Sequence, residues 1–146
     1  MTRLDLNGNQ LTDVKGLEKL TQLTVLNLFN NQLTDVKGLE KLTQLRGLIL
    51  GNNQLTELPK SLEKITKLKF LNLSDNKLTN VKNLENLTQL KELILDSNKL
   101  TNVKGLGKLT KLGTLVLSDN PDLTKAQIAE LQKALPKCKI LSNAKQ

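Results

Sequence analysis

From Leu23 to Gln44 the chain reads LTVLNLFNNQLTDVKGLEKLTQ, and the same pattern returns with a 22-residue period on either side of it. In general form the unit is Leu-x-x-Leu-x-Leu-x-x-Asn-x-Leu-Thr-x-Val-x-x-Leu-x-x-Leu-Thr-x, starting at Met1, Leu23, Leu45, Leu68, Leu90 and Leu112. The third unit carries one extra residue, around Pro59, and the sixth leaves the template after Leu123. A period of this length describes a solenoid, because no such unit can bury its apolar side except against the next one. The expectation is a single α/β unit over residues 1–146, with its function on the surface of the stack.

Within each unit the residue spacing changes twice. Leu26-Asn27-Leu28 and Leu93-Ile94-Leu95 alternate, as short strands do. Three residues after the last strand leucine stands an Asn: Asn9, Asn31, Asn53, Asn76, Asn98 and Asn120. A carboxamide both donates and accepts, so a stacked ladder of these side chains is expected to satisfy the buried backbone of the turns. After the turn, apolar residues come every three positions, as in Val14, Leu17, Leu20 and Leu23. That spacing drifts off an α-helical face but eclipses in a 3₁₀ turn, so 3₁₀ or irregular turns are expected on the outer side. Narrow strands inside and bulkier turns outside curve the stack, with a parallel sheet lining its concave face.

The two ends read differently. Thr124-Lys125-Ala126-Gln127 has the form of a capping box, followed by Ile128, Leu131 and Leu135 on one helical face and by Pro136. Cys138-Lys139-Ile140-Leu141 is then expected to add a last strand, giving a C-terminal cap over residues 124–141. Leu4, Leu6, Leu11, Val14 and Leu17 sit in a first repeat with nothing ahead of it. Either a segment precedes them or that end packs on another chain.

Composition narrows the chemistry. The chain has no His, one Cys and no Trp or Tyr. The commonest general base and metal ligand is therefore missing, and Cys138 is expected to be a buried structural thiol. Gly105-Leu106-Gly107 lacks the rest of any phosphate-binding loop. Carboxylates such as Asp13, Asp35, Glu18 and Glu40 recur with the repeat, so they do not form one special constellation. The expectation is a non-enzyme without a metal or cofactor. No stretch has the length and apolarity of a membrane span, and nothing in the chain names a compartment.

The motif Leu-x-x-Leu-x-Leu-x-x-Asn-x-Leu, found six times, is the leucine-rich repeat signature. The 22-residue length with Leu-Thr-Asp-Val-Lys-Gly-Leu at 11–17 and 33–39 resembles the bacterial internalin and phosphatase-regulator subclass. Leu58-Pro59 is similar to the longer Ras-suppressor-like variant, and Asn120 to Ile140 to the closing segments of bacterial leucine-rich repeat proteins. The resemblance implies an arc that binds other proteins on its concave sheet, and carries no particular partner. Units 1 and 2 share residues 9–23 and 31–45 word for word, as duplication or consensus engineering would produce.

On that sheet the third, fifth and seventh positions of each unit face outward. Both phenylalanines fall in this set, and Phe29, Ile49 and Phe70 lie on a diagonal through three successive units. Val25, Ile94 and Val116 extend it, Gly47 and Gly51 leave room beside it, and Asn27, Asn72, Glu92 and Asp96 form its polar rim. Exposed aromatics on a chain almost free of them suggest anchors for a protein or peptide partner. Strand propensity alone is the competing explanation.

Two further readings stay open. The +8 charge lies wholly in residues 58–146, since residues 1–57 carry equal numbers of basic and acidic side chains. Lys15, Lys37, Lys82 and Lys104 form one outer row, and Lys19, Lys41, Lys64 and Lys108 another. Weak polyanion binding by the lysine-rich half is thus an alternative, although Glu18, Glu40, Glu63 and Glu85 run beside the second row. The shortage of Arg and aromatics speaks against specific nucleic-acid recognition. The other alternative is a spacer that self-associates through its bare N-terminal edge.

Overall fold

Each repeat contributes one three-residue strand, centred on the leucine between two outward-facing positions. In the computed structural model, which describes residues 1–144, these are β1 (Arg3–Asp5), β2 (Val25–Asn27), β3 (Gly47–Ile49), β4 (Phe70–Asn72), β5 (Glu92–Ile94) and β6 (Thr114–Val116). A seventh, β7 (Lys139–Leu141), comes from the C-terminal cap. All seven pair in parallel and in sequence order. The register matches the repeat throughout: Leu26 pairs with Leu48, Leu48 with Leu71, and Leu115 with Ile140. The architecture is the expected leucine-rich repeat solenoid, one open sheet of seven parallel strands with a closing helix.

The leucines behind the sheet form one continuous apolar core. Leu26, Leu48, Leu71, Leu93 and Leu115 are fully buried, as are Leu39 and Leu42 on the outer side of the second repeat and Leu45, which opens the third. Each such burial is worth roughly 1.5–3 kcal/mol, offset by the entropy of ordering the chain. In the first repeat, Leu4, Leu6, Leu11, Leu17 and Leu20 are only partly buried, and Met1 is 70% exposed.

The spacing of three gives 3₁₀ turns at Leu17–Lys19, Leu39–Lys41, Lys60–Lys64 and Leu106–Lys108. The fourth repeat reaches the same path through turns alone. Gly16, Gly38 and Gly105 enter their turns with φ between 89° and 104°, a region open to glycine. Asn83 takes that place in the fourth repeat, with φ 73°, and its Nδ2 donates to the Leu58 carbonyl at 2.7 Å. That bond back to the preceding repeat anchors the strained residue.

The Asn ladder forms from the second repeat onward. Asn53 Oδ1 accepts from Leu33 N at 3.0 Å, and its Nδ2 donates to the carbonyls of Leu28, Leu50 and Gly51. Asn31, Asn76, Asn98 and Asn120 are buried and bonded alike, and among the described residues no buried side-chain nitrogen or oxygen lacks a partner. Asn9 departs from the expectation. It is exposed, and its Nδ2 donates to Asn7 O at 3.3 Å without the bond to a neighbouring repeat that Asn31 Nδ2 makes to Leu6 O.

The expected capping box is present. Thr124 Oγ1 accepts from Gln127 N at 3.2 Å and Gln127 Oε1 from Thr124 N at 2.9 Å, starting α1 (Lys125–Ala134). Leu131 and Leu135 are buried, Ile128 is partly so, and the chain then turns to form β7.

Candidate protein-binding sheet

Strand register places the outward residues in straight rows across the sheet. The row at the fifth repeat position runs Asp5, Asn27, Ile49, Asn72, Ile94, Val116 and Leu141. At the third position, Arg3, Val25, Gly47, Phe70, Glu92, Thr114 and Lys139 follow one another. Phe29, Ile49 and Phe70 accordingly step diagonally over three neighbouring strands.

All nine residues singled out for partner binding are half-buried: Val25, Phe29, Ile49, Phe70, Asn72, Glu92, Ile94, Asp96 and Val116. This corrects the picture of solvent-facing aromatics. Strands in a sheet stand about 4.8 Å apart, so neighbouring side chains in a row cover one another's flanks. The room expected beside Gly51 is also taken. A Cβ placed there would lie 2.9 Å from both Cδ1 and Cε1 of Phe29, so the ring lies against the glycine backbone. Gly47 is similarly covered by the methyl groups of Val25, at 3.6 and 3.7 Å from a Cβ.

The polar residues of the fifth position have a local task. Asn27 Oδ1 accepts from Phe29 N, and Asn72 Oδ1 from Ser74 N, each at 2.9 Å. Asp5 does the same for Asn7 N. These oxygens hold the strand exit and so fix where the seventh-position side chain, Phe29 in the second repeat, projects. Ile49, Ile94 and Val116 leave that bond out and present apolar surface instead.

One member of the apolar row was missed at the level of sequence. Leu141 is 41% exposed and pairs with Val116, so Ile94, Val116 and Leu141 form an unbroken run at the C-terminal end of the sheet. The signal was present: aligning Ile140 with the strand leucines puts Leu141 at the fifth position.

Away from the sheet, Cys138 is buried, and desolvation pushes its thiol above the ordinary range. The neutral thiol is the poor nucleophile of the pair. A shallow cleft opens on the opposite side, between α1 and the fifth-repeat turn, lined by Asn102, Lys104, Gln127, Glu130 and Ala134. Gly107 lies beneath it in the place that Glu18, Glu40, Glu63 and Glu85 hold in earlier repeats, and a Cβ there would stand 3.0 Å from that of Ala134. The outer lysine rows are exposed with half-buried glutamates beside them, as expected. Among the described residues no helix is long and apolar enough to cross a membrane.

The pattern that describes leucine-rich repeats in two copies matches residues 1–41 and 43–87. Among solved structures, an internalin of Listeria monocytogenes (inlF) is 32% identical with a TM-score of 0.82, over 97% of this chain and 40% of its own. A leucine-rich repeat protein of Leptospira interrogans is 34% identical with a TM-score of 0.89, over 96% of this chain and 36% of its own. Internalin C2 of Listeria monocytogenes is 25% identical with a TM-score of 0.69, over 99% of this chain and 74% of its own. The chain thus spans well under half the length of the first two. No curated protein sequence matches it.

Proposed function

The chain belongs to the leucine-rich repeat family, whose fold commonly serves as a protein–protein interaction module, and from that premise we propose that it binds a protein or peptide partner on its concave sheet. The observation that carries this reading is the run of apolar side chains across the sheet, where a solvated face would carry polar ones. Phe29, Ile49 and Phe70 form its centre, with Val25, Ile94 and Val116 extending it and Asn72, Glu92 and Asp96 at its polar margin. Ring stacking on Gly51 supports it further, because an anchor already held in place loses little entropy on binding.

A double variant, Phe29→Ser with Phe70→Ser, tests the proposal in a pull-down from lysate of the source cells. Circular dichroism first establishes that both proteins are folded. A protein retained by the parent and lost by the variant supports the site; equal retention moves it off the sheet. Catalysis has no part in this reading.

A further inference from the structure

The margin of the sheet on the side where each chain segment enters its strand is strongly basic, with Glu92 the one carboxylate beside it. Arg46, Lys69 and Lys91 occupy the residue just before β3, β4 and β5, and their backbones form one ladder: Lys69 N donates to Arg46 O and Lys91 N to Lys69 O, each at 2.8 Å. Two positions earlier in the chain, Lys67 and Lys111 bridge to the preceding repeat, Nζ donating to Gln44 Oε1 at 2.8 Å and to Gln89 Oε1 at 2.9 Å. Lys137 continues the margin in the cap, and Lys139 stands beside it on β7. All seven cations are exposed. The segments that lead into the strands, residues 20–24, 42–46, 65–69, 87–91, 109–113 and 135–138, contain no Asp or Glu, and Glu92, the first residue of β5, is the one carboxylate that follows them at the strand entry. Among the described residues the one ion pair is Lys37–Asp35, on the outer side.

The opposite margin has the other character. Asp75 and Asp119 lie there, with Asp96 at the neighbouring edge of the sheet, and Lys77 and Lys99 only partly offset them. The sheet between carries the apolar run together with Asn27, Asn72 and Glu92, so the surplus of positive charge lies on the entry side alone.

We propose that the basic margin receives an acidic segment of the partner polypeptide, whose apolar side chains lie on the sheet beside it; this rests on the sheet being the partner-binding face. Charge complementarity selects this occupant. A polyanion such as nucleic acid carries charge along its whole length, and wherever it spread from the margin it would meet Glu92, Asp96 and Asp75. A polypeptide places carboxylates on one side and apolar groups on the other. Six of the seven cations are lysines, point charges that attract carboxylates without the planar fork by which arginine recognises phosphate. From β3 to β7 the margin is about 19 Å long at ~4.8 Å per strand, which about six residues of extended chain would cover.

The test measures fluorescence anisotropy with three labelled probes of equal length: an alternating Glu–Leu peptide, its Gln–Leu counterpart and a thymidine oligonucleotide. The parent is compared with Lys69→Glu/Lys91→Glu and with Lys15→Glu/Lys82→Glu, which changes the net charge equally on the outer side. All four positions are exposed, and Lys69→Gln/Lys91→Gln supplies a milder variant. The expected result is about tenfold tighter binding of Glu–Leu than of Gln–Leu at low salt, lost on reversal at the margin and kept within about twofold by the outer control. Equal binding of the two peptides, equal loss in both reversals, or tighter binding of the oligonucleotide through Lys69 and Lys91 overturns the proposal. The Phe29→Ser/Phe70→Ser protein separates the two readings. If it loses both peptides while the margin reversal changes nothing, the acidic-segment proposal fails and the sheet stands. If it binds like the parent while the reversal removes Glu–Leu, the margin acts and the sheet reading fails.

Discussion

The ring of Phe29 lies against the backbone of Gly51, two of its carbons 2.9 Å from where a Cβ would be. The pair joins the exits of β2 and β3, and it turns the aromatic from a free surface group into part of a shaped surface. Gly51→Ala is therefore expected to destabilise the protein by about 1–3 kcal/mol through overpacking. In a Phe29→Ala background the same change should be close to neutral. Urea unfolding of the four proteins in this cycle measures the coupling, and additive losses would remove the contact from the account. The Ser74 hydroxyl, 2.8 Å from the same point, can rotate away and is not expected to decide the result.

The Asn ladder makes a contrast between two chemically identical substitutions. Asn53→Ala strands Leu33 N–H and removes a donor from three carbonyls, in a site 4% exposed. At about 1–3 kcal/mol for each unsatisfied group, the loss should reach about 3 kcal/mol or more. Asn9→Ala, at an exposed position, should stay within about 0.5 kcal/mol. Denaturation midpoints at unchanged slope would register both, and similar losses would contradict the ladder.

Gly107 breaks the row of outer glutamates where α1 crosses it. Gly107→Glu restores the residue type of the other repeats and pushes on Ala134, which must move from a Cβ–Cβ distance of 3.0 Å. The expected cost is about 1–3 kcal/mol, concentrated in the cap. Hydrogen exchange should quicken in residues 125–134 and leave β2 to β4 unchanged; uniform quickening would argue against a local clash.

Glu40 supplies the pH dependence. Burial raises its pKa, but hydrogen bonds from its own and the Gly38 backbone N–H and from Ser61, together with nearby Lys64, outweigh burial and lower the pKa overall. A carboxylate with a lowered folded-state pKa stabilises the fold above its unfolded value of ~4.3, and that contribution is lost as pH falls through the folded value. Glu40→Gln should thus cost less than about 1 kcal/mol at neutral pH, given partial exposure, and the gap to the parent should close in acid. Urea unfolding of both proteins at neutral and acidic pH checks the sign; a gap that widens in acid contradicts it.

Much of this was legible in the chain itself, and for one reason. Every repeat meets the next by the same displacement, so a residue's neighbour is the residue one period away. Strand register, the Asn ladder and the rows of the sheet all follow from that rule, as Leu26, Leu48 and Leu71 do. The capping box at Thr124 and Gln127 is legible on different grounds, since its bonds close within one helical turn. Leu141 and the Arg46–Lys69–Lys91 row obey the period too, although the irregular cap disguises the first and the outer lysine rows draw attention from the second.

Other features depended on neighbours that no period specifies. That Phe29 rests on Gly51 requires a large residue to meet a missing side chain at the same position of the next repeat. That Gly107 carries α1 depends on where a non-repeating helix lands. Asn9 and Asn53 have the same residue type at the same position of the unit, yet one is exposed and the other buried, because in this structure only the second is packed between two repeats. Local pattern sets what each unit offers, whereas contact between unlike units, and the burial it brings, exists only once the stack has formed.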